Sequence, residues 1–166
     1  YKRQVIIEPI QATAGLKFAD KQSLIKLREF TTKNKIPLIF DETFTGFCRT
    51  GKMFGYEHFD VTPDIIILGK AISAGFPAGL VISTEEILTF WEKGTQSSTF
   101  QLNPVAAAAS LFFLDQIKKH GLLNNISLQS EQFNNLLKDF VDFKNVTDVR
   151  GIGSFWVIAV SYTHLT

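Results

Sequence analysis

Two residues of this chain could serve each other as a nucleophile and an acid partner. Lys70 follows the apolar run Ile65-Ile66-Ile67-Leu68 after a single glycine, and Asp41 closes the apolar run Leu38-Ile39-Phe40. An amine set among apolar groups loses hydration and becomes a better nucleophile toward an aldehyde. A carboxylate across the same site suits a different task, holding a pyridine nitrogen protonated so that the ring draws electrons from a neighbouring carbanion. The plainer reading is that both are solvated charges at strand ends, and the pair alone does not separate the two.

The elements around them favour a shared site. Both apolar runs are short and bounded by Pro or Gly, as buried strands are. Open α/β sheets bind ligands outside the carboxyl ends of parallel strands, which is where both charges would emerge. Val5-Ile6-Ile7 is a further strand, ended at Glu8-Pro9-Ile10-Gln11 because Pro stops sheet pairing, and a small-residue loop follows. Leu24, Ile25, Leu27 and Phe30 recur at helical spacing, with Asp20 as N-cap and an end near Asn34. The next strand, Ile36 to Phe40, completes a right-handed βαβ unit. Beyond a long glycine-containing loop from Asp41 to Pro63 come a strand from Asp64 to Leu68, the small-residue segment Ala71 to Gly79 and the apolar run Leu80-Val81-Ile82. Thr84 caps a helix through Trp91, Pro104 opens a helix that Gly121 interrupts, and a further amphipathic helix carries Phe133, Leu136, Leu137 and Phe140. Val146, Val149 and the run Phe155 to Val160 return to strand character.

Composition narrows the partners. Seventeen Lys plus Arg against 16 Asp plus Glu give a net charge of +1, which offers no electrostatic case for nucleic acid or an anionic membrane. A single cysteine, Cys48, excludes an internal disulfide and a cysteine-built metal cage, in keeping with a reducing compartment. The apolar runs are too short to span a bilayer and no signal-peptide pattern opens the chain, so a cytoplasmic protein is expected. At 166 residues the chain suffices for one domain with a core, yet both ends read as cut. The first strand begins almost at once, and residues 161–166 continue no pattern and read as a foreign tail.

A nucleotide-binding alternative stands beside the first reading. Leu38-Ile39-Phe40-Asp41-Glu42 is similar to the acidic strand that holds magnesium in P-loop ATPases, and Gly46-Phe47-Cys48-Arg49-Thr50-Gly51-Lys52 fits G-x-x-x-x-G-K. Against it, the next position is Met53, which has no hydroxyl for magnesium, and the element follows the acidic strand instead of preceding it. A third possibility is a non-catalytic binding module on the same fold.

Several linked segments carry a more specific resemblance. Asp41-Glu42, Gly46 to Lys52, Pro63-Asp64-Ile65-Ile66 and Gly69-Lys70-Ala71-Ile72-Ser73-Ala74-Gly75-Phe76-Pro77 together resemble the signature of the class III aminotransferases, which depend on pyridoxal 5'-phosphate. Glu8-Pro9-Ile10-Gln11, Ser98-Thr99-Phe100-Gln101-Leu102-Asn103-Pro104 and Val149-Arg150-Gly151-Ile152-Gly153 resemble flanking segments of the same family. The resemblance implies an α/β fold-type-I transferase sheet stacked between helices. Residues 1–145 would be the C-terminal half of the large, cofactor-binding domain, and 146–160 the start of the small C-terminal domain. It implies that Lys70 binds the cofactor aldehyde as an imine and shuttles the substrate proton, and that Asp41 pairs with the pyridine nitrogen. Thr99 would reach the phosphate in the neighbouring subunit of a homodimer, and Glu8 would sit on the substrate side. Amino-group transfer from an amine or amino acid to a keto acid or aldehyde is the implied reaction, with an aminomutase, epimerase or decarboxylase as alternatives. The family's main phosphate-binding turn and its substrate arginine fall outside the sequence. Three positions depart from the pattern: Thr43 replaces a branched apolar residue beneath the ring, Phe44 replaces a Gln or Met near the phenolic oxygen, and Cys48 replaces a Gly. Phe44 cannot donate a hydrogen bond, and Cys48 reads as a small packed residue. His58, His120 and His164 have no metal-ligand partner at useful spacing.

Overall fold

A computed structural model describes residues 3–92, 94, 95, 99, 101 and 103–161. Strand β1 (Val5–Ile7) stops before Pro9, and two very short strands, β2 (Ile10–Gln11) and β3 (Lys17–Phe18), pair antiparallel where a plain loop is expected. Helix α1 (Lys21–Lys33) starts because the Asp20 carboxylate accepts from the Ser23 amide at 2.8 Å, and the Ser23 hydroxyl together with that amide holds the carboxyl below its usual range. It stops at Asn34, whose side-chain amide donates to the Phe30 carbonyl at 2.8 Å, and Lys35 in the left-handed region (φ 53°) turns the chain into β4 (Leu38–Asp41). Strand β5 (Ile65–Leu68) and strand β6 (Leu80–Ser83) follow.

Helix α2 (Glu85–Leu88) is a single turn, shorter than the helix expected through Trp91. The Thr84 side chain makes no capping bond, and Phe90 and Trp91 lie exposed. Helix α3 (Pro104–Lys119) opens as its proline predicts, with the Asn103 side chain accepting from the Val105 amide at 2.9 Å. Gly121, at φ 55°, breaks it from α4 (Leu122–Leu137), and Phe140 falls in a 3-10 turn beyond that helix. Strands β7 (Val146–Ile152) and β8 (Phe155–Val160) form an antiparallel hairpin. Of the expected tail at 161–166, all but Ser161, and with it His164, lies outside the described residues, as do Ser98, Phe100 and Leu102.

The main sheet has the order β1-β4-β5-β6, with β1, β4 and β5 parallel and β6 antiparallel at the edge. Register partners share a face: Ile7 pairs with Phe40, and Phe40 with Ile66. On that face Leu38 and Phe40 pack with Leu24 of α1, Ile10, Phe59 and Val61. Further along it Leu68 and Ile72 pack with Ile117 of α3 and Ile126 of α4. Helices α1, α3 and α4 therefore gather on one face of the strands described. The opposite face carries Ile6, Ile39, Asp41, Ile65, Ile67 and Val81, half-buried or exposed, with only the α2 turn near its edge at Ile65. The β7–β8 hairpin packs Ile152, Phe155 and Val157 on the first core, and the Arg150 Nε donates to the Gly15 carbonyl at 2.8 Å. No helix among the described residues is long and apolar enough to cross a membrane.

Candidate active site

Three strands release a charged residue at one edge of the sheet. Asp41 ends β4 opposite Ile67 of β5, and Lys70 comes three residues after Ile67, opening a 3-10 turn (Lys70–Ser73) behind Gly69. Glu8 follows Ile7, the partner of Phe40. Lys70 has φ 46°, a left-handed backbone that a residue with a Cβ seldom adopts, so strain is stored at the residue with the nucleophilic amine.

The segment after Asp41 joins this edge to Lys70. The Asp41 Oδ1 accepts from the Thr43 amide at 2.9 Å, folding the chain back over its own strand end. A Cβ on Gly69 would lie 3.0 Å from the Thr43 methyl, so that methyl sits directly over the glycine. The Lys70 ammonium lies 3.1 Å from the centre of the Phe44 ring, a cation–π contact. Thr43 and Phe44, the two departures beside Asp41, are thus the residues that touch Gly69 and Lys70.

Other expected residues stay apart. Asp41 and Lys70 share no hydrogen bond or ion pair, and half-buried Glu8 makes none among the described residues. Thr99 is an exposed turn residue without a bond to this edge. Lys70 is exposed, so the dehydration expected of its amine is not supplied by this chain's own residues. A cavity of about 850 Å³ opens beside Lys70, lined also by Phe47, Arg49, Phe76, Phe113 and Ile126, and Asp41 does not reach its wall.

The glycine-rich loop does not make a phosphate cradle. No helix follows Gly46–Lys52 until the short 3-10 turn Gly55–His58, and the Lys52 ammonium donates to the Glu57 carbonyl at 2.7 Å. Cys48 is buried, with its sulfur 4.0 Å from that of Met53, and burial pushes the thiol up. His58 contacts the Thr50 hydroxyl at 3.1 Å and burial holds it down, while His120 bonds Gln116 at 2.9 Å. No cluster of three or more His, Cys, Asp or Glu among the described residues could hold a metal ion. One residue that the sequence treats only as a strand-end charge is Glu42, which is fully buried. Alternation offers a signal for it, because Leu38, Phe40 and position 42 point the same way.

Residues 4–164 match the family described as aminotransferase class-III. The chain belongs to the class III aminotransferases. It is 40% identical over 150 residues to a [LysW]-aminoadipate semialdehyde/glutamate semialdehyde transaminase of Sulfolobus acidocaldarius, covering 90% of this chain and 39% of that protein. It is 38% identical over 152 residues to an ornithine aminotransferase of Oceanobacillus iheyensis, covering 91% and 38%. The solved ornithine aminotransferase of Plasmodium yoelii superposes with a TM-score of 0.88 at 33% identity, over 95% of this chain and 43% of that one. The sheet and its crossover helix are therefore part of the fold-type-I transferase architecture. The chain spans about two fifths of the length of these class III relatives.

The donor set fits the family's pyridoxal phosphate. The Asp41 Oδ2 has no partner among the described residues, which leaves an acceptor for a protonated ring nitrogen. Among the described residues Lys70 is paired with no carboxylate, and on the Phe44 ring its amine stays exposed enough to meet an aldehyde.

Proposed function

We infer that this chain forms the lysine-bearing part of a pyridoxal-phosphate aminotransferase, which moves an amino group from an amine or amino acid to a keto acid or aldehyde. The observation that carries the reading is the delivery of Asp41 and Lys70 at the carboxyl ends of adjacent parallel strands, with Thr43 and Phe44 packed on Gly69 and Lys70. Bound there, pyridoxal phosphate supplies an electron sink that stabilises the substrate carbanion. The Lys70 amine would hold the group through its aldehyde, with loss of water, and would carry a proton to and from the substrate carbon. The Asp41 Oδ2 would pair with the ring nitrogen and favour its protonated form, while Oδ1 is held by the Thr43 amide so that the carboxylate cannot rotate freely. The Thr43 methyl offers an apolar floor, and Phe44 presents a ring where it can give no hydrogen bond. Glu8 adds a negative charge on the substrate side, and Thr99 serves the phosphate across a homodimer in the cytoplasm.

The relatives' names narrow the donor. They include ornithine, acetylornithine and succinylornithine aminotransferases and transaminases of aminoadipate and glutamate semialdehydes. These are compounds with a terminal amine, or the aldehyde made from one. We assign the same class to this protein, the terminal amine of a dibasic amino acid or its acylated derivative.

Borohydride reduction of the intact protein with pyridoxal phosphate tests this reading. A pyridoxyl label should map to Lys70 and vanish in Lys70→Ala, which should also lose transamination by about a thousandfold or more. Labelling that persists in Lys70→Ala refutes the assignment.

A further inference from the structure

Glu42 is the only charged residue fully buried among the described residues, and nothing in the proposed chemistry uses it. Its Oε2 accepts from the Gly55 amide at 2.9 Å and from the Thr45 hydroxyl, and its Oε1 accepts from the Tyr56 amide at 2.6 Å. Its backbone is tied as well: the amide donates to the Ile67 carbonyl of β5 at 2.9 Å, and the carbonyl accepts from the Gly46 amide at 2.9 Å. Glycine is needed at both turns that close on it. A Cβ on Gly55 would stand 3.0 Å from the Glu42 Oε2, and one on Gly46 would stand 2.9 Å from the Glu42 carbonyl oxygen.

The two sides of this knot differ. Toward the core, one carboxylate gathers a loop whose far turn, Gly55-Tyr56, is 13 and 14 residues away in sequence. On either side of the same residue in the chain stand Asp41, which turns back to bond the Thr43 amide, and Thr43 with Phe44, which touch Gly69 and Lys70. A shift of residue 42 moves both neighbours together, because the peptide units are rigid.

We propose that Glu42 is a positioning residue, whose buried carboxylate fixes the backbone that carries Asp41 and sets Phe44 against Lys70. The functional half of this inference rests on the aminotransferase reading above. Burial pushes the Glu42 carboxyl up, while the hydroxyl and two amides oppose that rise, so the site spends three donors on keeping a carboxylate in a dry place. A carboxylate only filling space would be replaced at little cost by an apolar group.

The test uses the intact protein with pyridoxal phosphate and the substitution Glu42→Gln, which keeps the shape but turns one acceptor into an N–H donor facing another donor. Amide exchange at Gly55 and Tyr56 should quicken about tenfold or more, with the α1 amides unchanged. The pyridoxyl label should still form on Lys70, while the circular dichroism of the bound cofactor weakens and kcat falls about tenfold, with KM for the amino donor within about twofold. Thr45→Val, which removes one donor of three, should give the same changes on a smaller scale and covers the case in which Glu42→Gln fails to fold. Faster exchange with an unaltered cofactor signal and kcat in both variants makes Glu42 merely structural and overturns the proposal. Unchanged exchange removes the tether itself. Absence of any label on Lys70 in the unsubstituted protein refutes the aminotransferase reading instead, and the exchange measurement still decides the tether.

Discussion

Gly153 gives the sharpest test of how the hairpin is docked, because a matched control exists in the same chain. It joins β7 to β8 at φ 59°, and Gly121 between α3 and α4 has φ 55°. Alanine at either position costs about 1–2 kcal/mol for a left-handed backbone. At Gly121 nothing lies within 4 Å of an added Cβ, so that is the whole cost. At Gly153 the Cβ would lie 2.5 Å from the Thr50 carbonyl carbon and 2.7 Å from the Gly51 nitrogen, and would press on the Arg49 carbonyl oxygen. All three are backbone atoms, so no side chain can swing aside and the hairpin must back away. Backing away breaks the bonds from the Ser154 amide (2.9 Å) and hydroxyl (3.1 Å) to the Arg49 carbonyl. Two such bonds are worth about 0.5–1.5 kcal/mol each, so Gly153→Ala should be less stable than Gly121→Ala by about 1–3 kcal/mol. Urea unfolding of both variants of the intact protein measures the difference, and amide exchange at Ser154 shows whether the loss is local. Two variants within about 0.5 kcal/mol of each other, a difference that surface changes alone can produce, would refute the docking argument.

Two further outcomes follow from burial. The Glu42 carboxyl is held above its unfolded value, about 4.3, so the folded state binds that proton more tightly; between that pH and the raised folded value stability should fall as pH rises, and Glu42→Gln should flatten this slope in pH-dependent urea unfolding. Glu57 and Tyr56 face the same loop, so Glu57→Gln is the control that should leave most of the slope in place. The Cys48 thiol is buried and pushed up, so it should react with an aromatic disulfide reagent only as fast as the protein opens; rapid labelling at pH 7 would contradict its place in the core.

The elements legible in the sequence are those whose own residues start and stop them. Helix α1 has a cap at Asp20, a helical apolar period and a terminator at Asn34, and it forms at those bounds. Strands β4 and β5 are set off by Pro37, Pro63 and Gly69, and the parallel pairing of β1 with β4 follows from the crossover helix between them. What the chain does not encode locally was not legible. The β2–β3 pair has two residues a side, too few for any alternation. The α2 region carries a helical pattern to Trp91, yet Phe90 and Trp91 stay largely exposed beside a shallow hollow shared with Ile65 and Val81, too little burial to reward a second turn. The run Ile65-Ile66-Ile67-Leu68 is apolar at every position, the mark of a strand covered on both faces; the Ile66 and Leu68 side meets α3 and α4, and the other side has only the α2 turn near Ile65 among the described residues.

The neighbouring acids show how far period-two reasoning reaches into the site. Asp41 and Glu42 look alike in sequence, yet alternation along β4 sends them to opposite sides of the sheet. Phe40 is fully buried, so the side chain two residues on continues toward the same interior, and Glu42 there takes three donors. Asp41 turns to the sparsely covered face, stays half-buried and keeps one oxygen unpartnered. A carboxylate with an open oxygen at a strand end can meet a cationic ring, whereas one saturated by amides can only hold its surroundings still. The strained backbone of Lys70 lies on the adjoining strand's exit. Left-handed residues recur elsewhere, at Lys35 between α1 and β4 among others, so what sets this edge apart is the pairing of a strained, amine-bearing residue, Lys70, with a buried charge, Glu42, both of which cost stability.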